Sequence, residues 1–243
     1  MKLKIAITGL FFFVTASVAA KPLPLLTFAK KTEFEMIKIS PDGKHLAAKV
    51  PTGNKTVLVI LETDSKKSVG VFEFGPNQHI NEFAWVNNER LIYTRNIKEA
   101  WQEESVTYGQ IYSGNIDGTK NIIAFGYEGG RKQVQSRLNR HQGPENSWGK
   151  IVHMLPDDPK HILIEARSMF NDYDTSVRIV KLDVYRAKKK EIAKTPFGNM
   201  NVIYNSVGKP VVAGGRDPRG NIRHFFILMM IGKKLLKIAP CIK

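Results

Sequence analysis

The sequence predicts an all-β chain, an incomplete β-propeller of about four four-stranded antiparallel blades, and three observations predict it. A short apolar run, a polar turn, a basic residue and a second apolar run recur in that order four times. Each recurrence is followed by another pair of strand-like runs, so the unit holds four short strands. The units repeat every roughly 40 to 50 residues, the period of propeller blades. Period-2 alternation, with Pro, Gly and Asp at the turns, excludes helical repeats. A β-sandwich of sixteen strands is the competing architecture.

The chain begins with MKLKIAITGLFFFVTASVAA: two lysines, an apolar run from Ile5 to Val14, and small residues at Ser17, Ala19 and Ala20. This reads as a cleavable signal peptide over residues 1–20, cut near Ala20. The apolar run is shorter than the roughly 20 residues a membrane helix needs, so no stable membrane span is expected after cleavage. Residues 21–34 are a lead-in to a partial propeller over 35–243.

The first blade, about 35–75, opens with FEMIKISPDGKHLAAK, in which Ser-Pro-Asp-Gly is a turn joining two strands, and closes with TVLVILETDSKKSVGVFEF. The second, 80–126, pairs INEFAWVNNERLIYT with YGQIYSGNIDGTKNIIAFG; Leu91 opens its second run as Leu46 follows His45 in the first blade. The third, 149–197, pairs GKIVHMLPDDPKHILIEA with SVRIVKLDVYRAKKKEIAK. The fourth and weakest copy, 200–240, runs from MNVIYNSVGKPVVAGG into HFFILMMIGKKLLKIA. Residues 127–148, polar and basic, stand outside the repeat as a long inter-blade connection.

The formal net charge is +15, yet the lysines are dispersed and no nucleic-acid-reading module is present, so a solvated basic surface is expected and nucleic acid is not a partner. The single cysteine, Cys241, rules out an intramolecular disulfide, so the expected export is not matched by a disulfide framework. The destination implied by the leader is periplasmic or secreted.

LPDDPKHILIEA, followed by NDYDTSVRIVKLDV and KKKEIAKTP, resembles the amino-terminal propeller of bacterial prolyl oligopeptidase-type serine peptidases, the dipeptidyl or acylaminoacyl peptidase branch. FAWVNNERLIYT, ISPDGKHLA and RDPRGNIRHFF are similar to the same family, and the resemblance spans about residues 30 to 226. It implies a propeller that gates peptide access to an α/β-hydrolase domain, and a chain truncated before that domain. The solid apolar run Ile227 to Ile231 fits a frameshift near Phe226: in a neighbouring frame of a back-translation it becomes Tyr-Phe-Asp-Asp-Asp-Trp-Lys, an ordinary strand and acidic turn. An open arc of four blades would expose two edge strands, so edge-strand self-association is expected. The rival reading is a periplasmic TolB-type propeller, a binding or scaffold protein acting through protein contacts.

Catalytic machinery is not expected. A hydrolase nucleophile needs G-x-S-x-G, and Ser68, Ser147 and Ser206 each have glycine on one side only. The six histidines show no metal-ligand spacing, Asp157 and Asp158 precede Pro159 as turn formers, and Asn171, Asp172 and Asp174 lack the rest of an EF-hand loop. No cofactor or metal is implied. The candidate contacts for a peptide or protein partner are Trp101, in the long tip IKEAWQEESVTY, and the connection's Arg131, Lys132, Arg137 and Arg140. Trp85, in an alternating strand with Phe83, is assigned to the core.

Overall fold

The computed structural model describes residues 33–129, 145–170, 175–228 and 237–240, with backbone only for 226–228 and 237–240. The signal peptide, most of the lead-in, Asn171, Asp172, Asp174, Cys241 and most of the 227–231 run lie outside the described residues, as do Arg131, Lys132, Arg137 and Arg140. Within the described residues there is no helix, and so none long and apolar enough to cross a membrane.

The chain is all-β, built as four successive four-stranded antiparallel meanders. Sheet 1 comprises β1 (Met36–Ile39), β2 (His45–Thr52), β3 (Lys55–Glu62) and β4 (Ser68–Phe72). Sheet 2 comprises β5 (Gln78–Trp85), β6 (Arg90–Ile97), β7 (Val106–Asn115) and β8 (Ile122–Phe125). Sheet 3 is β9 (Ser147–Met154), β10 (His161–Ser168), β11 (Arg178–Asp183) and β12 (Lys189–Lys194). Sheet 4 is β13 (Met200–Tyr204), β14 (Pro210–Arg216), β15 (Ile222–Leu228) and β16 (Lys237–Pro240). A single parallel bridge, Thr56 to His79, joins β3 to β5 and links the first two sheets.

The first hairpin shows how the recurrent turn works. Ser40 Oγ donates to Asp42 Oδ1 (2.7 Å), Lys44 N donates to the same oxygen (3.2 Å), and Gly43 takes the left-handed φ of 74° that closes the turn. Both polar side chains are consumed by turn geometry. Strand β9 begins at Ser147, two residues before the expected third unit, because Ser147 pairs with Ser168 and Trp148 with Arg167 across the ladder.

Alternation divides each inner sheet between two neighbours, since residues directly opposite in a ladder share a face. Leu91, Tyr93 and Tyr112 pack with Ala47, Leu58, Ile60 and Phe72 of sheet 1, around Phe83 and Trp85. Their sequence neighbours Ile92 and Ile111, with Phe125, pack instead on Ile162, Ile164, Val180 and Leu182 of sheet 3. Burying both faces gives β6 and β10 continuous buried stretches, Arg90 to Thr94 and Ile162 to Ala166, rather than clean alternation. A sandwich has two sheets, each with an outer face; here sheets 2 and 3 have none, which is the stacking of propeller blades.

The third junction is more polar. Glu165, 2% exposed, accepts hydrogen bonds from Arg167 Nη2 (2.9 Å) and from the Tyr204 hydroxyl (3.0 Å), while Arg167 also donates to the Met200 carbonyl (2.7 Å). A carboxylate taken out of water is tolerable here because both its oxygens are satisfied. Burial, followed by the Glu165 charge, pushes the Tyr204 phenol upward and holds it protonated as a donor.

Candidate functional site

In an antiparallel meander, alternate connections fall at the same end. The turns between β2 and β3, β6 and β7, and β10 and β11 therefore share an end with the inter-sheet connections. Backbone hydrogen bonds tie these segments together: Lys98 N to Asn77 O (2.9 Å), Glu145 N to Gly126 O (3.1 Å) and Met169 N to Asn146 O (3.2 Å). The opposite end carries tight turns such as Ser40 to Lys44, so the longer connections concentrate at this loop end.

Trp101 sits in the β6–β7 tip at this end and is 79% exposed. Trp85 is buried, with its indole Nε1 donating to the Lys38 carbonyl (3.1 Å). The four basic residues of the 127–148 connection cannot be placed beside Trp101, being outside the described residues.

The structure assembles a different constellation where sheets 2 and 3 meet. Tyr108, at the start of β7, stacks on Trp148 of β9 with ring centroids 5.9 Å apart and planes 13° from parallel; Tyr127 meets Tyr108 edge-on at 6.2 Å. All three rings are half-buried. Gly109 permits this approach: its φ is +64°, and a Cβ there would lie 2.6 Å from the Trp148 Cα.

Beside the rings stands a polar fork. Arg95 donates to Gln78 Oε1 (3.1 Å), Gln110 Oε1 (2.5 Å) and Glu128 Oε2 (3.1 Å), and lies 5.3 Å from the Phe74 ring centre and 5.5 Å from that of Tyr112. Tyr112 also donates to Gln110 Oε1 (2.9 Å). Burial raises the Tyr112 phenol far above its ordinary range, with Arg95 opposing the shift; the Tyr127 phenol is raised by burial and then by the Glu128 carboxylate. Both remain neutral donors at physiological pH. The Nε2 of Gln110 is buried with no hydrogen-bond partner.

This arrangement offers ring surface, a guanidinium, a carboxylate and fixed hydroxyls, which suit the binding of a mixed polar and apolar ligand. It offers no nucleophile held against a base. Ser68 and Ser147 start strands and Ser206 lies in a turn, with no strand-to-helix elbow among the described residues. Among those residues no group of three or more His, Cys, Asp or Glu is placed to hold a metal.

No stretch of the sequence groups these residues, because they come from β5, β6, β7, the start of the 127–148 connection and β9. Tyr108 and Trp148 each lie beside a glycine at a strand start, a local sign of close backbone approach, but nothing in the linear order pairs them.

Fold and site together define an all-β, propeller-type protein with an aromatic and polar loop end. No family model matches the chain, and no curated protein matches it. Among solved structures, it is similar to an oligogalacturonate lyase from Vibrio parahaemolyticus, with 10% identity and a TM-score of 0.49 over 81% of this chain and 52% of that one. It is similar to the acylaminoacyl peptidase of Pyrococcus horikoshii, with 15% identity and a TM-score of 0.42 over 79% of this chain and 30% of that one. It is also similar to oligopeptidase B of Leishmania major, with 10% identity and a TM-score of 0.44 over 94% of this chain and 37% of that one. The chain thus spans about half the length of the first and about a third of the other two.

Proposed function

We propose that this chain is a non-catalytic propeller portion of a secreted prolyl oligopeptidase-like serine peptidase, which in the full-length family gates peptide access to a hydrolase domain. The reading rests on the resemblance carried by LPDDPKHILIEA and its neighbours in order. The structural observation that supports it is the half-buried Tyr108–Trp148 stack beside the Arg95–Glu128 pair at the loop end. Peptide backbones and apolar side chains match that mixture: rings take the side chain, and the guanidinium and carboxylate take the chain's polar groups.

The test uses the purified chain in two assays. Aminoacyl- and dipeptidyl-p-nitroanilides should show no turnover, and hydrolysis sensitive to a serine-directed inhibitor would refute a non-catalytic role. The tripeptide Ala-Pro-Phe should quench tryptophan fluorescence, and Tyr127→Ala should weaken that binding about 2- to 10-fold, the range expected for one aromatic contact. Absence of binding, or binding unchanged by Tyr127→Ala, would remove the loop end as the gate.

A further inference from the structure

Sheets 1 and 2 meet along a seam that changes character from one end to the other. Its centre is apolar, with Leu58, Ile60 and Phe72 of sheet 1 packed on Phe83, Tyr93 and Tyr112 of sheet 2. Towards the turn end the contact is backbone on backbone, where Gly70 lies so close to Ile116 and Gly118 that no Cβ fits. The loop end is polar. Asn54 Nδ2 donates to Asn77 Oδ1 (3.2 Å), Lys49 Nζ donates to the Asn81 carbonyl (2.9 Å), and between these links the Thr56 hydroxyl lies 3.2 Å from His79 Nδ1.

Among the described residues, Thr56 and His79 also form the single ladder bridge between the two sheets. Thr56 is buried and His79 half-buried, so water has only partial access to the imidazole. Three charged groups face the ring: Glu35 ahead of β1, Lys49 of β2 and Lys98 just after β6. Glu35 favours a proton on it, but that carboxylate is shared with Lys49 Nζ at 3.2 Å. Burial lowers the His79 pKa below its ordinary 6.5, Glu35 opposes, and Lys98 and Lys49 lower it further. The neighbouring Gln78 accepts from Arg95, which puts this polar end of the seam beside the aromatic and polar cluster.

We infer that the seam between sheets 1 and 2 is a proton-sensitive joint: neutral His79 keeps its loop end closed, and a protonated ring lets that end part while the turn end holds. An imidazolium there gives up water and stands near two lysines, with one shared carboxylate to offset them. Of the groups in the seam, only the imidazole is of a kind that changes charge between about pH 5 and 8. The apolar centre and the Gly70 contact are therefore indifferent to the same change. Because the closed seam holds the ring neutral more firmly than the open one does, closure is favoured most above about pH 6.5 and weakens as pH falls below it. This goes beyond the peptide-gating reading and is independent of it.

Hydrogen exchange of the full chain, corrected for the pH dependence of the chemical step, tests the inference. Between about pH 7.5 and about pH 5.5, the amides of 55–57 and 79–81 should lose protection about 3-fold or more, while those of 91–93 and 112–114 at the seam's centre keep theirs. His79→Gln keeps a hydrogen-bonding side chain without a titrating ring, separates this histidine from the others of the chain, and should abolish the change. Lys98→Gln, at an exposed position, removes one facing charge and should shrink it; this variant reads the same joint if His79→Gln does not fold. A wild-type response below about 2-fold, a response that His79→Gln retains in full, an unmoved response in Lys98→Gln, or an equal loss at the seam's centre would each overturn the inference.

Discussion

Arg90 is 1% exposed, yet its hydrogen-bond partners are all uncharged. Its Nε donates to Ser113 Oγ (2.9 Å) and the Val184 carbonyl (3.0 Å), Nη1 to Asn115 Oδ1 (2.6 Å) and Nη2 to the Lys120 carbonyl (3.3 Å). The guanidinium also lies 4.5 Å from the Tyr185 ring centre. Burial lowers its pKa, with the Tyr185 hydroxyl opposing, but arginine starts high enough to stay charged. One side chain thus ties β6 and β7 to the end of sheet 3. Arg90→Ala strips partners from several buried acceptors and should cost about 3 kcal/mol or more, measured by chemical denaturation. Arg90→Lys keeps the charge but not the planar fork and should recover only part of that loss. A cost below about 1 kcal/mol for the alanine variant would mean that water replaces the guanidinium.

At the scale of the element, sheet spacing depends on missing side chains. A Cβ on Gly70 of β4 would lie 2.2 Å from the Ile116 carbonyl oxygen and 2.8 Å from the Gly118 nitrogen, both backbone atoms of the β7–β8 turn of sheet 2 rather than side-chain ends that could swing aside. Gly70→Ala should therefore destabilise the protein by about 1 to 3 kcal/mol by forcing sheets 1 and 2 apart. An unchanged unfolding midpoint would show that this seam is loose. The mid-strand glycine of SVGVF signals a close backbone approach but not which backbone comes near, and this marks how far the sequence could be read. The strands, their grouping in fours and the turn at Ser40 to Lys44 were legible, because alternation and turn chemistry are local. The face that each strand offers to each neighbour was legible only in part, since β6 and β10 bury both faces and blur the alternation. The Tyr108–Trp148 stack was hidden because stacking of sheets, not chain order, brings its rings together.

For the whole molecule, the uneven covering of the sheets sets an order of local stability. Amides of β6, β7, β10 and β11, buried between neighbours, should exchange with deuterium slowest; those of β1 and β4, with an open face and edge strands, should exchange early. Uniform protection across the sheets would instead indicate a single cooperative unit. The burial of each inner sheet between the sheet before it and the sheet after it also has a meaning for the gene. A unit that turns one face to its predecessor and the other to its successor specifies what its neighbours must be, but not how many there are. Copying or deleting one such unit keeps the way the sheets stack and only adds or removes one junction. Blade number can therefore change by duplication and loss while the mode of stacking is kept.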